Sequence, residues 1–392
     1  MSRVSAARPL LAPVLLILAV ALIGSTTSTA TQQNFITALV SVTIVIGLYV
    51  FIGNAGVISF GQISFVAIGA YSAGELTLPT QPKHFVLPGL WSFIQNHSVA
   101  NIPSLAIAAG LGALYALAVG LPLMRLSGLA AGIATFAVLE ITYNVLTFWP
   151  KIAPQSGQTL SLVPTTTGLT QATVGAIIAA AAAFLYQSSR RGRLLRASRE
   201  DPAAAQAAGV NIRRERLIAF TLSGAIAGLA GGLLVHQIGS IIPSQVYLDL
   251  TFLTLAMLVV GGTGSLWGAT VGAIIVSLLD TYLSNAENGL HLGFFKLTLP
   301  SGAADLILGL LMVAMLIFRP QGLTGGREWD LTIPHLRRRR SETRADASGA
   351  SGLDQASLIA ESPNPTDSAT EPAAERATPP VESPLSGPRP EG

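Results

Sequence analysis

From residue 10 to residue 318 the chain alternates between long apolar runs and short polar breaks. The runs lie near 10–24, 35–52, 63–78, 102–123, 129–148, 174–187, 217–238, 250–261, 268–283 and 302–318. A helix standing perpendicular to a bilayer needs about 20 apolar residues to cross it, and several runs fall short of that length. The short ones are half-helices, or spans packed inside the bundle whose polar ends are hidden by protein. The pattern predicts an all-α, polytopic transmembrane helix bundle of about ten spans.

Composition agrees with that reading. Half of the 392 residues are hydrophobic and only 11% are charged, and mean hydropathy is +0.57. That is too little charge to cover a soluble protein of this size. The chain contains no cysteine, which excludes disulfides, thiolate metal sites and cysteine nucleophiles. Arg3 and Arg8, the apolar run after them and the small residues through Ala30 resemble a secretory signal. Further spans follow at once, which favours an uncleaved first helix.

Charge then fixes a topology. Residues 1–323 carry fifteen Lys and Arg against nine Asp and Glu, whereas 324–392 carry eight against eleven. With ten crossings and a cytoplasmic N-terminus, twelve of those fifteen fall inside, and only Lys83, Lys151 and Lys296 fall outside. This is the asymmetry that orients membrane proteins, and it puts both termini in the cytoplasm. A transmembrane domain is expected over 1–323. Beyond it, Arg337–Arg340 are placed to meet anionic lipid headgroups. Residues 341–392 are too poor in large apolar side chains to fold, and read as a disordered cytoplasmic tail.

The densest charge lies between Ser188 and Arg216, with eight arginines flanked by spans. Inside it sits an Ala-rich element, Asp201 to Gly209. Asp201 can cap a helix start, Pro202 is tolerated at the first helical position, and Gly209 can take the left-handed conformation that ends a helix. The loop is therefore a topological anchor, a small surface helix, or both.

Other features bear on chemistry. Gly224, Gly228 and Gly232, Gly268 and Gly272, and Gly128 and Gly132 recur at four-residue spacing, which lets helix backbones approach closely in lipid. Packing within the subunit is the favoured reading of that spacing. The polar stretch from Gly53 to Ser64, with Asn54, Ser59 and Gln62, is either a cytoplasmic turn or a broken helix lining a translocation path. Gly261 to Ser265 superficially suggests a phosphate loop but lacks the Lys-Ser/Thr that would hold phosphate and magnesium, so a tight turn is expected. Glu140 lies inside a span with Asn144 one turn later on the same face. It either lines a path or bonds to a neighbouring helix. Asp280 and Asp305 read as solvated caps. The five histidines show no metal or catalytic spacing, and no hydrolase constellation is visible.

Five blocks, IGNAGVISFGQISFVAIGAYSAG (52–74), LPLMRLSGLAAGIATFAVLEI (121–141), RASREDPAAAQAAGVNIRRERLIAFTLSGAIAGLAGGL (196–233), GGTGSLWGATVGA (261–273) and FRPQGL (318–323), together resemble the permease family of branched-chain amino acid ABC importers, most of all its M-type subunits. The resemblance covers roughly residues 35–323. It implies a permease in the inner or plasma membrane. Its partners would be a second homologous permease, two cytoplasmic ATPases and an extracytoplasmic amino-acid-binding protein, with membrane lipid around it and no nucleic acid. ATP would be bound by the partner ATPases, with no cofactor, metal or catalytic residue in this chain. The resemblance also implies that the helix at Asp201, Pro202, Ala203, Ala204 and Gly209 docks in a groove of the ATPase. Pro202 departs from the acid or polar residue usual there, and the outer Gly/Thr/Asn-rich stretch is reduced to 155–159 and Thr165–Gly168. A urea or short-amide permease of the same type is the alternative substrate reading. An ion-coupled secondary carrier using Glu140 and Asp280 is a more distant one.

Overall fold

The computed structural model describes residues 8–328, apart from 127, 155–157, 288–289, 293–294, 298–299, 301, 320 and 327. The expected disordered tail, the Arg337–Arg340 cluster, Arg3 and the first part of the outer 155–159 stretch lie outside the described residues.

Each of the ten apolar runs falls on a helix. These are α1 (Arg8–Ser25), α2 (Thr29–Ala55), α3 (Gln62–Thr77), then two short helices, α4 (Thr80–Val86) and α5 (Ser92–Gln95), followed by α6 (Asn101–Leu123), α7 (Gly128–Phe148) and α8 (Leu169–Ser188). The charged loop supplies α9 (Arg190–Glu200) and α10 (Pro202–Ala207). The chain continues with α11 (Ile212–Ile238), a 3₁₀ turn at Pro243–Val246, α12 (Leu248–Gly261), α13 (Leu266–Glu287) and α14 (Ala303–Phe318). Seven described helical segments are long and apolar enough to cross a membrane, the 3₁₀ turn and α12 counting as one. The other three runs form the shorter helices α1, α3 and α14. One departure from the all-helical expectation is a small antiparallel hairpin, β1 (Leu290–Leu292) with β2 (Phe295–Leu297). Its strands read Leu-His-Leu and Phe-Lys-Leu, the period-two alternation that a search for long apolar runs passes over.

α2 and α11 form the centre of the bundle, packed on each other and surrounded by the rest. Neighbours approach α11 closely because it is lined with small residues. A Cβ added to Gly231 would sit 2.0 Å from the Val66 carbonyl oxygen of α3, and one on Gly228 would sit 2.4 Å from that of Ala108 on α6. In lipid, backbone-to-backbone packing of this kind replaces the hydrophobic drive available in water. The four-residue glycine spacing in α11 is thus packing within the subunit. The same holds for α12 against α13, where a Cβ on Gly272 would lie 2.2 Å from the Met257 oxygen. Gly128 and Gly132 have no such close neighbour.

The two central helices are built alike. α2 runs from 29 to 55, ends on left-handed Gly56 and is followed by Gln62; α11 runs from 212 to 238, ends on left-handed Gly239 and is followed by Gln245. Each is 27 residues long. A break follows each one, the second holding the 3₁₀ turn, and then a short helix, α3 with 16 residues and α12 with 14. These breaks set up the candidate site.

Candidate functional site

At the end of the bundle that carries the arginines, here the basic end, the charged loop folds into two helices sharing one residue. Ser189 caps α9, its Oγ accepting from the Gly192 amide at 3.2 Å. Asp201 then ends α9 and caps α10, its Oδ1 accepting from the amides of Ala203 and Ala204 at 2.9 Å each. Pro202 occupies the first helical position. Gly209 takes φ +81°, and the amides of Gly209 and Val210 return to the carbonyls of Gln206 and Ala205 at 2.9 and 3.0 Å. The result is a helix only six residues long, capped at both ends. Its Ala203, Ala204 and Ala207, with Ala208 just beyond, are exposed side by side.

The last two family-like blocks converge on the same end. Gly322 packs on the 261–265 turn so closely that its Cβ would lie 2.4 Å from the Gly262 Cα. The Leu323 amide donates to the Val260 carbonyl at 2.8 Å, and Thr324 Oγ1 donates to the Gly261 carbonyl at 2.9 Å. Gly261 to Ser265 is indeed a tight turn, between α12 and α13. Glu328, which sequence reasoning passed over, accepts from the Leu266 amide at 2.9 Å and the Gln187 side chain at 3.4 Å. It neutralises the positive N-terminus of α13. No local signal marks it, because its partners lie some sixty residues or more away along the chain.

Ser59 lies in the first break, Asn54 in the last turn of α2 and Gln62 at the start of α3, and all three are no more than 1% exposed. The chain leaves Gly56 at the basic end, and Gly61 packs against the Thr135 carbonyl oxygen, 2.5 Å from where its Cβ would be. Thr135 lies roughly two turns into α7. The Phe60 amide donates to Thr135 Oγ1 at 3.1 Å. The chain therefore passes from exposed Gly56 and Ile58 to buried Ser59 and Gly61 before α3 starts, so the second half of the break between the helices is enclosed by protein. Asn54 Oδ1, Ser59 Oγ, Gln62 Nε2 and Ser64 Oγ have no hydrogen-bond partner among the described residues. The Ser223 hydroxyl lies 2.6 Å from the Gly47 carbonyl and 2.9 Å from Gln62 Oε1. With one proton to give, it satisfies only one of them, so the Gln62 amide stays under-bonded whichever way it is turned.

The second break delivers Tyr247 to α7. Its hydroxyl donates to Glu140 Oε2, its ring stacks on Tyr143 with centroids 4.2 Å apart, and Asn144 Nδ2 donates to Glu140 Oε1 at 2.8 Å. Glu140 is thus bonded to the second break and to its own helix, and it lies on an outward-facing surface. With Ile141, Asn144, Val145, Phe148 and Trp149 it lines a shallow recess of about 490 Å³. Tyr247 was hidden from sequence reading because its role depends on the chain folding back after Gly239. The structure pairs Glu140 with Asn144; Asn54, Ser59 and Gln62 are each buried at the first break, where Asn54 bonds to the Val50 carbonyl and Gln62 to Ser223.

One acid of the two expected as caps differs from expectation. Asp305 does sit in the first turn of α14. Asp280 lies well inside α13 and caps nothing; with Asp249 and Asp305 it lines a cavity of about 750 Å³ between α12, α13 and α14. Three span-borne acids meet there only because those helices pack together. Outside the spans, Lys83 is fully buried, donating to the carbonyls of Ile94 and His97 at 3.1 and 2.7 Å. Burial pushes its ammonium below the ordinary lysine range, and the charge of Glu75 partly opposes that.

The family model described as the branched-chain amino acid transport system permease component matches residues 30–316. The chain belongs to this permease family. It is 27% identical over 311 residues to the high-affinity branched-chain amino acid transport system permease protein LivM of Escherichia coli, covering 71% of this chain and 66% of that protein. The LivM of Salmonella typhimurium is 25% identical over 334 residues, covering 77% and 70%. A shorter match, 34% over 143 residues, is to the autoinducer 2 import system permease protein LsrC of Klebsiella pneumoniae, covering 35% and 38%. No solved structure matches. Family and apolar helices together make the chain a multi-pass membrane transport permease.

Proposed function

We propose that this permease is one membrane subunit of an ATP-driven importer of branched-chain or similar hydrophobic amino acids. It lies in the cytoplasmic membrane with the basic end and both termini inside. It would assemble with a second, homologous permease, two cytoplasmic ATPases and an extracytoplasmic binding protein. The observation that carries the reading is the capped, alanine-faced α10 projecting from the basic end of a chain in this family. An exposed apolar face on a short, rigidly joined helix is suited to docking a partner, and the arginines beside it satisfy the charge rule for a cytoplasmic loop.

Glu140, with Asn144 and Tyr247, lines the translocation path in this proposal. A carboxylate in the middle of a span is costly against lipid, so the α7 face that bears it is turned to the second permease and the path between the two. Asn54, Ser59 and Gln62 are the polar groups that a change of conformation would expose to that path.

The test is uptake by proteoliposomes holding the chain with its partner permease, ATPases and binding protein. ATP-dependent accumulation of leucine, unaffected by excess urea, is the expected result. Accumulation of urea or a short amide in place of leucine overturns the substrate reading. Uptake driven by an ion gradient without ATP overturns the importer reading.

A further inference from the structure

A force on α10 can reach the membrane only through the elements joined to it. Upstream it is joined through Asp201 alone, which closes α9 and opens α10 with no intervening loop. α9 in turn is fastened to the bundle. Gly192, Leu195 and Ser198 form its buried face, and Arg196 donates to the Gln187 carbonyl at the end of α8.

The last turn of α9 carries Arg199. Its Nη1 donates to the Gly53 carbonyl at 3.3 Å, in the final turn of α2. Its stem lies flat across left-handed Gly56, so that a Cβ there would meet the arginine Cγ and Cδ at 2.7 Å. Gly53 is itself wedged, with positions for a Cβ 2.6 Å from the Tyr49 ring and 2.8 Å from the Thr263 carbonyl oxygen. Packing of this kind leaves no room for a side chain at Gly53 or Gly56, where α9 meets the point at which α2 gives way to the broken segment.

Among the described residues, buried polar atoms without a partner gather along the broken segment, one each on Asn54, Ser59, Gln62 and Ser64. Buried orphan groups raise the energy of the arrangement that contains them, and favour any alternative in which water or a polar ligand reaches them. A segment with two competing arrangements is the kind of element a distant contact can bias.

We propose that Arg199 is the positioning residue that transmits movement of the ATPase-docked α9–α10 unit to the 56–61 break, shifting the Asn54–Ser64 segment between its closed form and one open to the path. This rests on the docking reading of α10. Arg199 touches neither nucleotide nor substrate in this scheme; it acts through Gly53 and Gly56.

The experiment uses the assembled importer. The chain has no cysteine, so spin labels can be placed uniquely at Ile58→Cys in the break and Leu114→Cys on α6, both exposed. In the otherwise unaltered chain, ATP should change the distance between the labels. With Arg199→Gln, ATPase binding and hydrolysis should persist, the distance should stop responding, and uptake per ATP should fall by about tenfold or more, as expected for loss of a charge-assisted bond. Arg199→Lys, which keeps a stem and a charged donor, should recover part of both. Arg199→Gln with normal uptake per ATP and a normal distance change overturns the proposal. So does loss of ATPase binding in that variant, which would place the residue in docking. Failure of the docking reading is separately visible: deletion of 201–209 would then leave uptake by the otherwise unaltered complex intact.

Discussion

Gly209 offers a way to perturb α10 without touching the packing of the bundle. No atom lies within 4 Å of where its Cβ would be, so Gly209→Ala meets no steric obstacle. The cost is conformational, because φ is +81°. An L-residue in the left-handed region loses about 1–2 kcal/mol. Against this, alanine stiffens the unwound loop, a gain of about 0.4–1 kcal/mol. A net loss of roughly 1 kcal/mol remains, which shifts the folded-to-unwound ratio of α10 about fivefold. A six-residue helix has little intrinsic stability to absorb that loss. Amide hydrogen exchange in the 204–210 region of the purified protein should speed up by that factor, with exchange in α11 unchanged. Gly209→Asn should lie between, since asparagine tolerates the left-handed region better than alanine. Unchanged exchange in Gly209→Ala, or asparagine behaving worse than alanine, would refute the claim that this glycine holds the helix closed.

Other outcomes follow from the same structure. Gly231→Ala should destabilise the protein by about 1–3 kcal/mol, because its Cβ would lie 2.0 Å from the Val66 oxygen. Gly110→Ala, a helical site with open space, should be neutral or stabilising by about 0.5–1 kcal/mol in a comparison of detergent unfolding midpoints. Glu140→Gln should preserve assembly but lower uptake, measured on the reconstituted complex; unchanged transport would remove Glu140 from the path. Truncation after 340 should leave uptake intact, and its loss would contradict an accessory tail.

Much of the bundle was readable from local pattern, for local reasons. Ten apolar runs became ten helices because burial of backbone groups in lipid leaves the helix few rivals. The Asp201–Gly209 helix was readable because caps act on neighbours two or three residues away. What stayed hidden depends on residues distant in sequence. Glu328 capping α13, Tyr247 reaching Glu140 and Asp280 facing Asp305 across a cavity are each set by how helices pack. The break at Gly53–Ser64 was half legible: its polar residues stood out, but only the contact of Gly61 with Thr135 shows that its second half is enclosed by protein.

The central claim is that α10 is where an ATPase grips this permease. Ala204→Cys would be the sole cysteine of the chain, on the exposed face of α10. In membranes containing the assembled importer, it should cross-link to the ATPase subunit and be shielded from a water-soluble maleimide only when the ATPase is present. Equal labelling with and without the ATPase, and no cross-link, would contradict the account.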